Sequence, residues 1–264
     1  MPVDMRELAD DLAAETAEVR AMVADLDEEG WHKPTPSEGW CIGDQISHLA
    51  FFDDAAIQSA TDPEGFAVEM ERAVTVGEIT PDDIAERYRS QTGAELLAWF
   101  DASRRRLIKV FSELDPALRL PWFGLPMSAA SSLTARIMET WAHGQDVADA
   151  VDHERQPTSR LRHIAHIGVR ALPYSFGVHG LEVPSEPVRV ELTAPDDGEK
   201  WTWGSVHAVN RVTGPALDFC LVVTQRRHRA DTSIRAEGPV AEKWLSIAQA
   251  FAGWPGQGRP ARHG

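Results

Sequence analysis

Apolar residues recur at helical spacing through the N-terminal half of the chain and at every second position in parts of the C-terminal half. Leu8, Leu12, Val19, Met22, Val23 and Leu26 mark one face of a helix over residues 3–27, and its other face is nearly all acidic. The acids Asp25, Asp27, Glu28 and Glu29 before Gly30 close it, where negative charge opposes the helix dipole. Residues 31–42 contain Pro34, Pro36 and Gly39 and read as a loop. Its Trp31 and Trp40 call for cover, which folding across a bundle end would supply. A second helix is expected from Gly43 and Asp44 to about Ala60, with Ile46, Leu49, Ala50 and Phe52 as its apolar surface. Residues 61–79 read as a short helix and a loop. Thr80-Pro81-Asp82-Asp83 is a helix start, with Thr as cap, Pro in the first turn and acids following. The pattern then runs to Leu114 through Leu96, Phe100, Leu107 and Phe111, with a bend at Gly93 and Arg104, Arg105 and Arg106 outward. After an aromatic-rich loop over 121–127, Ser128 reads as the cap of a long helix over 129–152.

The pattern changes after Pro157. One more helix is expected over 158–174, ending at Pro173. Strands follow over 187–193 and 199–204, joined by the turn Pro195-Asp196-Asp197-Gly198. Shorter strands at 210–214 and 231–236 and helices at 215–224 and 241–251 complete the reading. The fold class is therefore α+β. An N-terminal four-helix up-down bundle, residues 1–153, precedes a small α+β domain, residues 154–264, with a frayed tail after Trp254.

Charge and composition remove several function classes. The 264-residue chain has a net charge of −15, which argues against nucleic-acid binding because phosphate contact needs a basic surface. No apolar run reaches the roughly 20 residues that span a bilayer, and the N-terminus runs straight into an acidic helix with no signal peptide visible. The two cysteines, Cys41 and Cys220, form no C-x-x-C motif, which fits a reduced cytoplasm. The expected partners are a small-molecule substrate and at most a second copy of the chain, as monomer or homodimer. A zinc site of several thiolates is excluded, so any metal must rest on His and carboxylates.

Glu139 and His143 lie four apart on the long helix and share a face, with Asp146 three further on. A carboxylate and an imidazole at that spacing can both bind one metal ion. His48, on the second helix, is the candidate third ligand. Three N/O ligands with an open fourth position is the catalytic zinc arrangement, in which the metal activates a bound water or thiol. Asp44 and Asp146, each within a turn of a candidate ligand, are the candidates to hold the second ring nitrogen of a histidine. Spacing alone leaves the plainer reading open. A Glu-x-x-x-His pair is commonly a solvated surface pair, and a lone His at a helix interface is commonly just hydrogen-bonded.

The pattern Pro36-x-x-x-Trp40-x-x-x-Asp44-x-x-x-His48-Leu49, with Glu139-x-x-x-His143-Gly144-x-Asp146 further on, resembles the DinB-like metal-binding superfamily. More closely, it is similar to an actinobacterial branch, the mycothiol-dependent maleylpyruvate isomerase family. The C-terminal Gly214-Pro215-Ala216-Leu217-Asp218-Phe219 and Ala241-Glu242-Lys243-Trp244-Leu245 resemble a subgroup of uncharacterised actinobacterial proteins with that N-terminal domain. The resemblance implies a DinB-like bundle and a divalent metal, zinc first, on His48, Glu139 and His143. It also implies mycothiol at the open position, held as a thiolate that adds to an activated double bond or displaces a leaving group. Acidic substrates or cofactor groups would need basic residues, and Arg227 in Gln225-Arg226-Arg227-His228-Arg229 is the candidate, against a solvated surface cluster. Trp40 either packs the helix start or touches substrate or thiol. The expectation is a cytoplasmic, metal-dependent isomerase or thiol transferase. Two alternatives stay open. One is a metal-dependent hydrolase, lyase or cyclase acting through bound water or direct substrate chelation. The other is a non-catalytic metal-dependent binding protein.

Overall fold

The computed structural model describes residues 3–76 and 80–262. The chain divides into two compact units, Met1–Arg155 and Gln156–Gly264.

In the first unit, helix α1 spans Met5–Val23 and is capped by Asp4, whose side chain accepts from the Arg6 amide. It stops short of residue 27 because Asp27 caps a one-turn helix, α2, Glu28–Trp31, and accepts from the Gly30 amide at 2.8 Å. Glu28 and Glu29 then sit in a first turn, where the dipole favours them, rather than in a last turn, where it does not. Helix α3 covers Ile42–Thr61, and Asp44 reaches back to the Cys41 amide at 2.9 Å. Helix α4 covers Pro63–Val76, and the remainder of the expected 61–79 segment, residues 77–79, lies outside the described residues. The single helix expected over 80–114 is two, α5 Pro81–Tyr88 and α6 Gly93–Phe111, each opened by its own capping box, Thr80 with Asp83 and Thr92 with Glu95. The apolar spacing carries across the break, and only the caps reveal it. Gly93 is thus a helix start rather than a bend. A Cβ there would fall 2.2 Å from the Trp31 indole, so the residue must be glycine for α2 and α6 to meet. A two-stranded antiparallel hairpin, β1 Arg119–Leu120 and β2 Met127–Ser128, leads into α7, Ala129–Ala150.

Helices α1 and α3 each pack on α6 and α7, forming the bundle. One core cluster joins Val19, Val23, Trp31, Ile42, Ile46, Leu49, Phe100 and Val147. Arg105 and Arg106 are exposed as expected, but Arg104 is 2% exposed. It lies on the buried stripe Phe100–Arg104–Leu107–Phe111, which the run of three arginines disguised. Its Nε donates to Asp53 Oδ2 at 2.6 Å on α3, and its Nη1 donates to Thr16 Oγ1 on α1 at 2.6 Å and to Thr140 Oγ1 on α7 at 3.0 Å.

In the second unit, the expected 158–174 helix corresponds to α8, Leu161–Arg170; a further helix, α9 Leu172–Val178, follows it, and Pro173 sits in the first turn of α9 rather than ending a helix. The strands are β3 Val188–Thr193, β4 Lys200–Trp203, β5 Asn210–Pro215 and β6 Arg235–Glu237. They form one sheet in the order β4-β3-β5-β6. β3 pairs antiparallel with β4 and parallel with β5, in the register Val190↔Val212, and β6 closes the edge antiparallel to β5. Helices α10, Ala216–Val223, and α11, Pro239–Ile247, pack on the sheet and bury Val190, Leu192, Val212, Phe219 and Trp244. The tail has no regular structure but is tied back, the Gly256 amide donating to Gln249 Oε1 at 2.9 Å and the Arg262 amide to Asp231 Oδ2 at 2.9 Å. Residues 263 and 264 lie outside the described residues. No described helix is long and apolar enough to cross a membrane.

Arg104→Met leaves Asp53 as an uncompensated buried charge and is expected to destabilise the protein by about 3–5 kcal/mol. Adding Asp53→Leu should recover most of that loss. Urea denaturation midpoints of the two variants check both statements; equal midpoints would show that the pair is not coupled.

Candidate metal centre

Helices α3 and α7 pack side by side, so polar residues on their facing stripes meet inside the bundle. His48 from α3 and Glu139 and His143 from α7 form a cluster whose donor atoms lie within 4.8 Å of one another. Glu139 Oε2 is 3.2 Å from His143 Nε2 and 3.8 Å from His48 Nε2. Both imidazoles are buried, and the carboxylate is nearly so. A tetrahedral ion with bonds near 2.0–2.1 Å places its ligands about 3.3 Å apart, so the observed separations suit one small divalent cation.

The hydrogen bonds around the cluster bear on this fit. Thr35 Oγ1 donates to the Trp40 carbonyl and accepts from Gln45 Nε2 at 2.9 Å. This orientation turns Gln45 Oε1 toward His143 Nδ1, 2.5 Å away, so Nδ1 carries the proton. In the neutral ring, Nε2 then points its lone pair at the Glu139 carboxylate. Two such acceptors at 3.2 Å repel unless a cation lies between them. His48 has no corresponding support. Among the described residues its Nδ1 is buried without a hydrogen-bond partner, and the ring is held by packing, with Phe52 at 4.6 Å, His143 at 4.3 Å and Trp40 at 5.4 Å between ring centroids.

Burial, and next the neighbouring His143, push the His48 imidazole down to about 4, against the pull of Glu139. It is therefore neutral, and a competent donor, at neutral pH. Burial pulls Glu139 upward, but the two imidazoles that face it and the nearby charge of Arg136 outweigh it. The carboxyl is held well below its ordinary range.

The two aspartates expected to hold the histidine rings are engaged elsewhere. Asp44 caps Cys41 and pairs with Arg89, Oδ2 to Nη2 at 3.0 Å, which ties the 31–42 loop and α3 to the end of α5. Asp146 accepts from Ser37 Oγ at 3.0 Å. An acid one helical turn from a histidine points along the same face but does not reach across to the ring, whereas Gln45 is long enough and sits on the neighbouring helix. Trp40 does reach the cluster: its ring stacks on His143 at 6.0 Å, and its Nε1 donates to Asp82 at 2.7 Å. Arg227 belongs to the second unit, where its Nη1 donates to the Arg226 carbonyl. Cys41 starts α3, and burial raises its thiol, which is unlike a reactive cysteine.

Two residues absent from the sequence reading stand beside the cluster, Gln45 and Arg136. Arg136 is three residues before Glu139 on the same stripe of α7, and that spacing was the available signal.

Residues 12–148 match the family described as the mycothiol maleylpyruvate isomerase N-terminal domain, and residues 184–234 match one described as wyosine base formation. Two proteins described as uncharacterized, from Mycobacterium tuberculosis strains CDC 1551 / Oshkosh and ATCC 25618 / H37Rv, are each 48% identical over 249 residues. The match covers 94% of this chain and 96% of each of them. The crystal structure of the mycothiol-dependent maleylpyruvate isomerase superposes with a TM-score of 0.59 at 15% identity, covering 90% of this chain and 95% of that one. A histidine-to-alanine mutant of that enzyme gives 0.58 at 16% with the same coverage. At such identities the likeness is one of fold.

The depressed His48 value makes a stability statement about the metal-free protein. The unfolded chain, with His near 6.5, takes up a proton before the folded one does. The contribution is therefore fully present above about pH 6.5 and lost as pH falls toward 4, to a ceiling of about 3 kcal/mol. Urea midpoints of chelator-stripped protein should fall between about pH 7 and about pH 4.5, and fall less steeply in His48→Asn. Parallel slopes in the two proteins would refute this.

Proposed function

The chain belongs to the family of the mycothiol maleylpyruvate isomerase N-terminal domain, and from that membership we propose a metal-dependent enzyme that activates a thiol such as mycothiol. The reaction is isomerisation or S-transfer on a small electrophilic substrate. The observation that carries the reading is the convergence of two neutral-capable imidazole nitrogens on one carboxylate oxygen, at 3.2 and 3.8 Å. A divalent ion there, zinc by donor type though nickel, iron or copper also accept this set, would hold a thiol as the thiolate that adds to an activated double bond or displaces a leaving group.

The chain's own residues have separable tasks in this reading. Glu139 supplies the one negative charge, and His48, neutral at neutral pH, is a donor that needs no proton removed. Gln45 fixes the proton on Nδ1 of His143, so Nε2 is the free donor. Trp40 and Phe52 cover the imidazoles and keep bulk water from their faces. Three protein donors leave a coordination position for an exogenous ligand, which supports chemistry over a purely structural site. We also infer that the soluble electrophile is handled without nucleic acid or membrane, given the strongly acidic chain.

Elemental analysis of protein from metal-supplemented growth should find about one equivalent of a transition metal, lost in His143→Ala; less than about a tenth of an equivalent in the parent protein defeats the reading. Gln45→Ala should weaken metal binding about 10–100-fold while the fold persists, read by competition with a chelator. In the cobalt-substituted protein, mycothiol should shift the visible spectrum. No shift with mycothiol, alongside turnover of an ester or other electrophile, would favour chemistry through bound water.

A further inference from the structure

A cavity of about 230 Å³ opens between α3, α4, α5, α6 and the loop that joins β1 to β2. One water fills about 10–15 Å³ of such space, so there is room for a small molecule. The cavity is distinct from the metal centre, since His48, Glu139 and His143 are not on its wall. Phe52 packs on both: its ring lies 4.6 Å from His48, and 5.3 and 5.4 Å from Phe51 and Phe123 of the wall.

Five aromatic residues from five segments face this space. Phe51 on α3, Tyr88 at the end of α5 and Trp99 on α6 form one group, with 6.4 Å between Phe51 and Tyr88 and 4.5 Å between Tyr88 and Trp99. Phe66 on α4 and Phe123 in the loop form another, edge to face at 5.6 Å. Rings serving only as core would close on one another to native density, whereas these surround a gap. The charged groups of the wall are both acids, Asp54 on α3 and Glu69 on α4. Trp99 Nε1 donates to Asp54 Oδ2 at 2.7 Å and so fixes that carboxylate. Its Oδ1 meets Arg106 Nη1 at 3.9 Å, a loose pair with an exposed side chain. Glu69 has no hydrogen-bond or ion-pair partner among the described residues. Among those residues no Lys, Arg or His lines the cavity: Arg72, one turn after Glu69, is exposed, and Arg136 lies against Phe52 and Trp122, off the wall.

Ring faces carry partial negative charge, and two carboxylates add to it, so the cavity favours a cation. A metal ion sheds its water only for several oxygen ligands, which aromatic rings do not supply. An alkylated ammonium spreads its charge over its alkyl groups, is weakly hydrated, and presents those groups to ring faces. An uncharged molecule would gain nothing from the two acids.

We propose that this cavity binds a small alkylated ammonium ion, its head group among the aromatic rings and its charge facing Asp54 and Glu69. The site works without the metal donors and does not rest on the metal reading.

The test is calorimetric titration of the full chain with choline and with its neutral isostere dimethylbutanol, in which carbon replaces the nitrogen. Choline should bind about 10–100-fold more tightly than the alcohol. Glu69→Gln removes an exposed charge that holds no internal bond. Asp54→Asn keeps an oxygen that accepts from Trp99. Each should weaken choline binding several-fold and leave the alcohol unchanged, while Phe51→Leu should cost choline more than the alcohol. Zinc-loaded and chelator-stripped protein should bind choline alike. Absence of choline binding by the parent, equal affinity for choline and the alcohol, or choline affinity unchanged in both acid variants overturns the proposal. Binding lost on removing the metal also overturns it, by placing the cation at the donor cluster.

Discussion

The buried pair between Arg104 and Asp53 is the constraint on which the bundle depends. Both side chains are essentially out of solvent, at 2% and 0% exposure, so each would be strongly destabilising alone. Arg104 on α6 binds Asp53 on α3, Thr16 on α1 and Thr140 on α7, one partner on each of the other three long helices. Apolar helix faces tolerate small rotations and slides, because one methyl contact replaces another. A guanidinium fork in a low-dielectric interior does not, since a displaced helix leaves a charge or a hydroxyl unpaired. Thr140 follows Glu139 directly, and Asp53 is little more than one turn beyond His48. The network that sets the register of α3 against α7 therefore also sets the spacing of the donor cluster.

Around that cluster the interior is electrostatically uneven. Glu139 stays ionised although buried, because the imidazoles that face it and nearby positive charge outweigh desolvation. His48 stays neutral because desolvation and its neighbour His143 outweigh Glu139. Gln45 is locked by Thr35, and through it His143 has one proton position. Among the described residues, Arg136 Nη1 has no hydrogen-bond partner. An interior arranged for stability alone would pair or remove such a group. Unmet polar capacity concentrated in one place is how a fold marks where a ligand belongs.

Much of the architecture was legible from spacing. The apolar stripes of α1, α3, α6 and α7, the capping signal at Thr80, and the alternation of β3 and β4 located those elements within a few residues. The misses share a cause. Thr92 starts a new helix where the apolar pattern continues unbroken, so periodicity merged α5 with α6, and Pro173, read as a helix end, stands instead in the first turn of α9. The parallel pairing of β3 with β5 is a long-range choice that no local signal carries. Arg104 was read outward because three consecutive arginines look like a solvated face. One of the three falls on the buried stripe, and only its partners on other helices make that tolerable.

The sequence by itself determined the residue types of the candidate site, the helices that carry them, and that two cysteines cannot supply a site of several thiolates. It could do so because helical spacing and composition are local properties. Only the tertiary structure decided which side chains meet: that Gln45 rather than Asp44 or Asp146 holds a histidine, that Trp40 covers the imidazoles, and that Arg136 is buried over Phe52 and Trp122. Those outcomes depend on the distance and rotation between α3 and α7. That geometry comes from packing and buried hydrogen bonds across the bundle, summed over residues far apart in the chain.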